Sequence, residues 1–186
     1  MKKLLMFLKL FVTVSILSYP MQVWAQSNDS TSLSSPLSSN AAWDVYTDVA
    51  KNCWLVSAPQ KLVNTKGGKK VEVNRGKSLL FISFWEQPKQ RGEVSYTGGY
   101  PYRSYREGSG VVLRVDSEEF ELFSEPDGQV AWSKNSNEDI KITNAMKRGT
   151  EATIIAFSKR GTKTVDTISL RGFTAAFEDA EKRCPE

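Results

Sequence analysis

The stretch SLLFISFW, residues 78–85, is apolar almost throughout. Short apolar runs rich in branched and aromatic residues, with turn residues on either side, are typical of a buried β-strand. The stretch therefore predicts a central strand of a β-sheet, and the rest of the chain has to supply the strands around it.

Short runs rich in Val, Ile, Phe, Tyr and Trp recur on both sides of this stretch, separated by Gly, Pro and Asp turn residues. Many short strands at close spacing are typical of a β-sandwich or a β-barrel. We therefore predict a mostly β protein, a single β-sandwich that is Ig-like or jelly-roll-like, with two short helices, the last at the C-terminus. The predicted strands cover residues 53–58, 70–74, 78–85, 93–97, 110–115, 119–123, 129–132, 152–158 and 163–170.

The register of the last predicted strand stays open. Val165 falls on one face of a simple alternation, whereas Ile168 and Leu170 fall on the other. A β-bulge, or a strand that begins only after Asp166, would place all three apolar side chains on one face.

The first helix is predicted at residues 138–148. Ser136 followed by Asp139 resembles a capping box with Asp in place of Glu, and Gly149 is predicted to take the left-handed C′ position after the last turn.

The second helix is predicted at residues 174–184, with Thr174 as its N-cap. Phe177, Ala180 and Cys184 share one face of it at helical spacing. We expect that face to pack on the sheets and to bring Cys184 towards the start of the domain.

The first 25 residues have the order of a cleavable secretory signal peptide. Lys2 and Lys3 precede an apolar stretch at residues 4–17 that Lys9 interrupts. Pro20 breaks any helix after it, and Ala25 is a small residue suited to cleavage. A membrane anchor is the alternative, but a spanning helix needs about 20 apolar residues and this run is shorter.

Three segments are therefore expected. Residues 1–25 form the signal peptide, residues 26–42 a disordered Ser/Asn-rich linker with little to bury, and residues 43–186 the β-sandwich domain. We expect no stable membrane insertion after cleavage, and a location in the periplasm, outside the cell or on the cell surface.

The net charge argues against nucleic-acid binding. The whole chain carries a net charge of +4, but the predicted signal peptide holds three lysines and no acidic residue, so the mature protein is at +1. Nucleic-acid-binding domains usually gather a surplus of Lys and Arg on one face. We predict no nucleic-acid partner.

The absence of histidine excludes several kinds of active site. Ser-His-Asp and Cys-His catalysis need an imidazole base, and zinc sites are usually built from His and Cys. No glycine-rich phosphate loop is present either. We predict no catalytic residue, no metal site and no cofactor. Carboxylate-only glycoside hydrolysis stays formally open, although Glu118, Glu119 and Glu121 resemble surface residues of a hairpin.

Cys53 and Cys184 are the two cysteines of the chain. In an oxidising compartment an internal disulfide is the first expectation. Closing so long a loop would stabilise the fold by about 4–5 kcal/mol in the chain-entropy model. Two free thiols or an intermolecular pair are the alternatives.

The segment YTGGYPYRSYR, residues 96–106, is the candidate partner-binding surface. Its glycines and proline predict a loop with partly exposed tyrosines, and Tyr and Arg are enriched in binding hot spots. Tyrosine rings also suit sugar rings. In the alternative interpretation, the tyrosines lie back over the core. The candidate residues are Tyr96, Tyr100, Tyr102, Arg103, Tyr105 and Arg106.

Several segments of the chain carry a family resemblance. ISLRGFTAA at residues 168–176 is similar to the closing segment, and Trp43 followed by Cys53 to the opening, of the invasion-associated locus B family of exported bacterial proteins. Resemblance to a subgroup of short members comes from GEVSYTGGYP at 92–101, MKRG at 146–149 and EDAEKRC at 178–184.

The resemblance implies an exported β-sandwich without established catalytic residues, in a family whose members are linked to host-cell invasion. The chain departs from longer members, which have additional internal cysteines.

Together these observations favour a non-enzymatic exported envelope or surface protein that binds a protein or glycan partner. A carboxylate-dependent hydrolase of cell-wall sugar and a purely structural envelope component are the alternatives.

Overall fold

The computed structural model describes residues 35–86, 89–103 and 110–184. The predicted signal peptide, residues 26–34 of the predicted linker, and the candidate residues Tyr105 and Arg106 lie outside the described residues. No helix within the described ranges is long and apolar enough to cross a membrane.

Two antiparallel sheets and two helices make up the described part of the chain, which confirms the predicted sandwich-like, mostly β fold with a C-terminal helix. One sheet has the strand order β1-β2-β3-β6-β7-β10 and the other β5-β4-β12-β11-β8-β9. The elements are β1 (Ser38–Asn40), β2 (Trp43–Thr47), β3 (Cys53–Ser57), β4 (Lys61–Lys66), β5 (Lys69–Lys70), β6 (Leu79–Trp85), β7 (Gln90–Thr97), β8 (Val111–Val115), β9 (Glu118–Leu122), β10 (Val130–Trp132), α1 (Ser136–Arg148), β11 (Glu151–Phe157), β12 (Lys163–Ser169) and α2 (Phe173–Arg183).

The predicted central strand is confirmed as β6, which lies between β3 and β7. Leu80, Ile82 and Phe84 point into the core and are buried, whereas Phe81 and Trp85 alternate with them and are half-buried. The strand therefore directs one face into the space between the sheets.

The first sheet begins before the domain boundary predicted at residue 43. Strand β1 lies in the Ser/Asn-rich stretch assigned to the linker and pairs with β2. Its polar side chains find partners there, since Ser39 donates a hydrogen bond to Asp44 at 2.6 Å and Ser38 donates one to Asp179 of α2. Pairing through the backbone needs no apolar side chain, which explains why composition missed this strand.

Two further strands, β2 and β4, were not predicted, and only Lys70 of the predicted strand 70–74 belongs to a strand. Strand β4 lies beside β12 and carries mostly exposed and half-buried residues. It therefore lacks the apolar alternation by which strands are recognised.

Strand β12 runs without a bulge along both neighbours, β11 and β4. Its inward face carries Thr164, Asp166 and Ile168, and Val165 is half-buried on the other face. The bulge considered from the sequence is therefore wrong. Asp166 is buried on the inward face of β12. The alternation of polar and apolar residues along this strand therefore does not indicate which side chains face the core.

Both helices form where they were predicted, but with different ends. Gly149 follows α1 in an extended conformation with a φ of −81°, so the predicted left-handed conformation is wrong. Asn135, rather than Ser136, is the N-cap of α1, and its side chain accepts hydrogen bonds from the backbone N–H groups of Asn137 and Glu138. The predicted partner, Asp139, is instead buried. It accepts a hydrogen bond from the backbone N–H of Val94 at 2.8 Å.

Helix α2 begins at Phe173 after Gly172, and no side chain caps it. Gly172 has a φ of +88°, and a Cβ atom there would lie 2.1 Å from the carbonyl oxygen of Asn40. The predicted cap, Thr174, donates a hydrogen bond to the carbonyl of Lys147. The position before α2 therefore requires a residue that tolerates a left-handed conformation and has no Cβ atom, and glycine meets both requirements.

The disulfide between Cys53 and Cys184 is confirmed, with the two Cα atoms 6.1 Å apart. It joins β3 to the end of α2. The predicted buried face of α2 is also confirmed, because Phe177, Ala180 and Cys184 are all buried. The ring centroid of Phe177 lies 5.2 Å from that of Phe84 in β6.

Candidate binding cleft

The candidate tyrosines are more buried than the sequence predicted. Tyr96 lies on the inward face of β7 with 0% of its surface exposed, and Tyr102 is 2% exposed. Tyr100 and Arg103 are half-buried. The expected exposure is therefore wrong for Tyr96 and Tyr102, which lie back over the core as in the alternative interpretation.

A tight turn explains why the segment folds back. Gly99 has a φ of +74°, and a Cβ atom there would lie 2.3 Å from the carbonyl oxygen of Gly76. The backbone N–H of Gly76 donates to the carbonyl of Gly99 at 3.0 Å. This approach brings the chain around Arg75 against the tyrosine segment.

A buried polar cluster lies beneath this turn. Asp166, with 0% exposure, accepts two hydrogen bonds from the guanidinium of Arg75, at 2.6 and 2.9 Å, and one from the hydroxyl of Tyr96. Arg75 also donates to the carbonyl of Gly98 at 3.2 Å. The forked geometry pairs both carboxylate oxygens with one cation, which compensates for their removal from water.

The electrostatics fix the protonation of the phenols and the guanidinium in and around this cluster. Burial raises the pKa of Tyr96 far above its usual value, and the neighbouring Asp166 raises it further. Burial also raises the pKa of Tyr100 to about 12. For Arg75, burial acts to lower the pKa, but the hydrogen bonds and negative charge of Asp166 outweigh it, and the net shift is upward. At neutral pH the two phenols are therefore neutral and the arginine is charged.

A cleft of about 410 Å³ opens beside the cluster, at one end of the sandwich. Three segments line it: residues 73–75, residues 99–101, and the β11–β12 hairpin turn with the start of β12. The hydroxyls of Tyr100 and Thr164 hydrogen-bond each other in its wall. No aspartate or glutamate is among the described residues that line it.

Two cations stand at the rim of the cleft, both on the hairpin turn. Lys159 forms an ion pair with Asp127 at 2.6 Å, and both side chains are exposed. Arg160 is exposed as well, and no described residue pairs with it. The turn itself is fixed, since the N–H of Lys159 donates to the carbonyl of Pro101 at 2.9 Å.

The acidic residues considered for hydrolysis lie elsewhere. Glu118 and Glu119 on β9 pair with Arg148 and Arg114 and are exposed, and Glu121 is exposed on the same strand. Strand β9 is at one edge of its sheet, and β8 separates it from β11, the nearer strand of the hairpin at the cleft. Within the described ranges, no group of three or more His, Cys, Asp or Glu side chains could hold a metal ion.

The cleft combines one residue that the sequence analysis singled out with several that it missed. Of the four described candidates, Tyr100 lines it. The residues that it missed include Arg75, Lys159, Arg160 and Thr164 and, behind the wall, Asp166. The mismatch in register around Asp166 was the one sequence signal that could have indicated a buried charge.

The comparison with family models agrees with the resemblance seen in the sequence. The family model described as Invasion associated locus B (IalB) protein matches residues 48–181. The chain is also similar to the crystal structure of invasion associated protein B from Bartonella henselae, at 16% identity and a TM-score of 0.47, over 77% of this chain and 94% of that one. None of the curated proteins compared with the chain matches it.

The family match covers most of the chain, including the whole tyrosine segment and the hairpin turn at the cleft rim. This protein belongs to the invasion-associated locus B family.

Proposed function

We propose that this protein is a non-enzymatic, exported protein of the bacterial envelope that binds a protein or glycan partner through the cleft. The observation that carries the proposal is the fixed polar wall beside an open cavity. Arg75 is held by Asp166 on one side and by the Gly98 carbonyl on another, so the wall is organised before any partner arrives. A preorganised site loses less entropy on binding.

Binding is better supported than hydrolysis. A glycoside hydrolase needs two carboxyl groups about 5–10 Å apart across the scissile bond. The described cleft presents hydroxyls, an amide and cations, whereas the glutamates of β9 pair with exposed arginines at a sheet edge. These groups recognise a ligand but offer no acid and base to cleave it.

Export is supported by three features. The disulfide between Cys53 and Cys184 is stable in an oxidising compartment. The resemblance to the family implies an exported bacterial protein, and the first 25 residues have the order of a signal peptide. We propose that the mature protein is in the periplasm, outside the cell or on the cell surface.

Crosslinked capture from intact cell envelopes tests the proposal. The wild-type protein is compared with the double variant Lys159→Ala/Arg160→Ala, which alters the rim of the cleft, and with Arg171→Ala. Arg171 is an exposed arginine that does not line the cleft and is therefore the matched control. We expect wild type and Arg171→Ala to capture the same partner, and the rim variant to lose most of it.

Equal capture by all three proteins would place the binding site away from the cleft. Capture by none of them would contradict the binding function and favour a structural envelope component. Circular dichroism melting of each variant confirms that a loss of capture does not reflect unfolding.

A further inference from the structure

We propose that the cleft takes a sugar that carries a carboxylate, such as a hexuronic acid residue. The inference rests on the proposed function, because it names the chemical class of the ligand that the same cleft would bind. Three properties of the cleft lead to it: its size, the charge at its rim and the neutral hydroxyl groups in its wall.

The size suits a small ligand or one end of a larger one. The cavity of about 410 Å³ falls within the range of about 300–1,000 Å³ in which small-molecule sites occur. It lies at the end of the sandwich, open to solvent beside the exposed hairpin turn. A terminal residue of a glycan chain could therefore enter while the rest of the chain remains outside.

The charge at the rim is positive. Arg75 contributes little to it, since Asp166 balances its charge behind the wall. Lys159 and Arg160 remain, and the exposed pair between Lys159 and Asp127 is of the kind that contributes only about 0–1 kcal/mol. A carboxylate entering the cleft could replace Asp127 as the partner of Lys159 and also pair with Arg160.

The wall supplies neutral hydrogen-bonding groups rather than charge. Ser158, Thr162 and Thr164 line the cleft on the β11–β12 hairpin, and Asn74 lines it on the segment 73–75. The Ser158 hydroxyl accepts from the N–H of Thr162 and that of Thr164 pairs with Tyr100, which leaves each hydroxyl with further hydrogen-bonding capacity. With a pKa of about 12, Tyr100 keeps its phenol protonated and does not repel an anion. A bare inorganic anion would leave these groups unused, whereas sugar hydroxyls pair with them.

The test measures binding of three probes to the mature protein by two-dimensional NMR titration. Glucuronate carries both hydroxyls and a carboxylate, glucose carries the hydroxyls alone, and inorganic phosphate carries only negative charge. We expect glucuronate to shift the backbone resonances of residues 73–75, 99–101 and 158–164. Its affinity should exceed that of glucose by about tenfold, the contribution of one charge-assisted hydrogen bond.

Two variants, with a third as control, separate the contribution of the rim charges from that of the hydrogen-bonding groups in the wall. Lys159→Ala/Arg160→Ala should reduce glucuronate affinity to that of glucose and remove its dependence on salt. Asn74→Ala should weaken both sugars and leave the preference for glucuronate. Arg171→Ala should bind all three probes like wild type.

Equal affinity for glucose and glucuronate would overturn the role of the carboxylate, and phosphate binding as tight as glucuronate would overturn the role of the sugar. If none of the probes binds while the envelope capture still depends on Lys159 and Arg160, this inference fails and the proposed function stands. If the capture also fails, both are wrong.

Discussion

Two buried aspartates lie in different regions of the sandwich and are held in different ways. Asp166, beside the cleft, is paired with Arg75 and accepts a hydrogen bond from Tyr96. Asp139, on α1, is 1% exposed and accepts hydrogen bonds from Ser133 and the backbone N–H of Val94. No cation pairs with Asp139 among the described residues.

The difference shows in their electrostatics. For Asp139, burial raises the pKa, opposed by its hydrogen bonds from Ser133, Val94 and Gln90. At Asp166 a full positive charge compensates for burial. The comparison teaches that a buried carboxylate can anchor a helix to a strand through neutral donors. In the wall of the cleft, the buried carboxylate of Asp166 is instead paired with a cation, Arg75.

The largest loss in the free energy of unfolding is expected from Asp166→Ala. The substitution leaves the buried Arg75 without its carboxylate, and breaking a buried ion pair costs about 3–5 kcal/mol. Urea unfolding measures the loss. Asp127→Ala, which removes an exposed carboxylate, should change the free energy of unfolding by less than about 0.5 kcal/mol.

A double variant sharpens this result. Arg75→Met/Asp166→Leu replaces both charges by apolar groups and should be less destabilising than Asp166→Ala alone. If the double variant is the less stable of the two, the cost does not come from an uncompensated charge.

A smaller loss in the free energy of unfolding is expected from Gly99→Ala, which disturbs the turn above the buried polar cluster around Asp166. The new Cβ atom would lie 2.3 Å from the carbonyl oxygen of Gly76, in addition to the strain of a positive φ. We expect a loss of about 2–3 kcal/mol in thermal unfolding.

Gly68→Ala is the matched control for this change. Gly68 has a similar φ of +76°, but a Cβ atom there meets nothing within 4 Å. It should cost about 1 kcal/mol, from backbone strain alone. Equal losses at the two glycines would mean that the contact with Gly76 does not hold the turn.

Asp139→Asn should cost less than about 1 kcal/mol at neutral pH, because the amide keeps an oxygen that can accept from Val94. The two proteins should also differ in their pH dependence. Since burial raises the pKa of Asp139, the folded state binds a proton more readily than the unfolded state. Wild type therefore gains stability relative to Asp139→Asn as the pH falls through the folded-state pKa.

Urea unfolding of both proteins at several pH values measures this gain, which should end near the unfolded-state value of 3.8. A stability difference that does not vary with pH would mean that the environment of Asp139 does not favour its protonated form.

The smallest effect on stability is expected from Lys159→Ala/Arg160→Ala. Both side chains are exposed, so the free energy of unfolding should change by less than about 0.5 kcal/mol. The melting temperature checks this. A large loss would show that these cations support the fold rather than the rim of a binding site.

Much of the fold could be predicted from local patterns. Strand β6 and the two helices carry apolar residues at the spacing of their secondary structure, so each was recognised close to its observed bounds. Strands β1 and β4 carry polar or exposed residues and were missed, because backbone pairing with a neighbour, rather than side-chain burial, holds them in the sheet.

The candidate site was less predictable. The tyrosine segment was identified by composition, but which tyrosines are buried depends on the turn at Gly98 and Gly99 and on the approach of Gly76. Nothing in the sequence near Tyr100 indicates that Thr164 would be its hydrogen-bond partner.

The sequence by itself determined the fold class, the family, the positions of the helices, and Cys53 and Cys184 as the one internal pair that two cysteines allow. Only the tertiary structure decided that Asp166 points inward, because its partners Arg75 and Tyr96 are 91 and 70 residues away. An apolar side chain is buried by its own chemistry, and a local pattern reveals it. A charged side chain is buried only where other residues supply a compensating charge, as Arg75 does for Asp166, or hydrogen-bond donors, as Ser133 and Val94 do for Asp139. Those partners come together with it only in the folded chain.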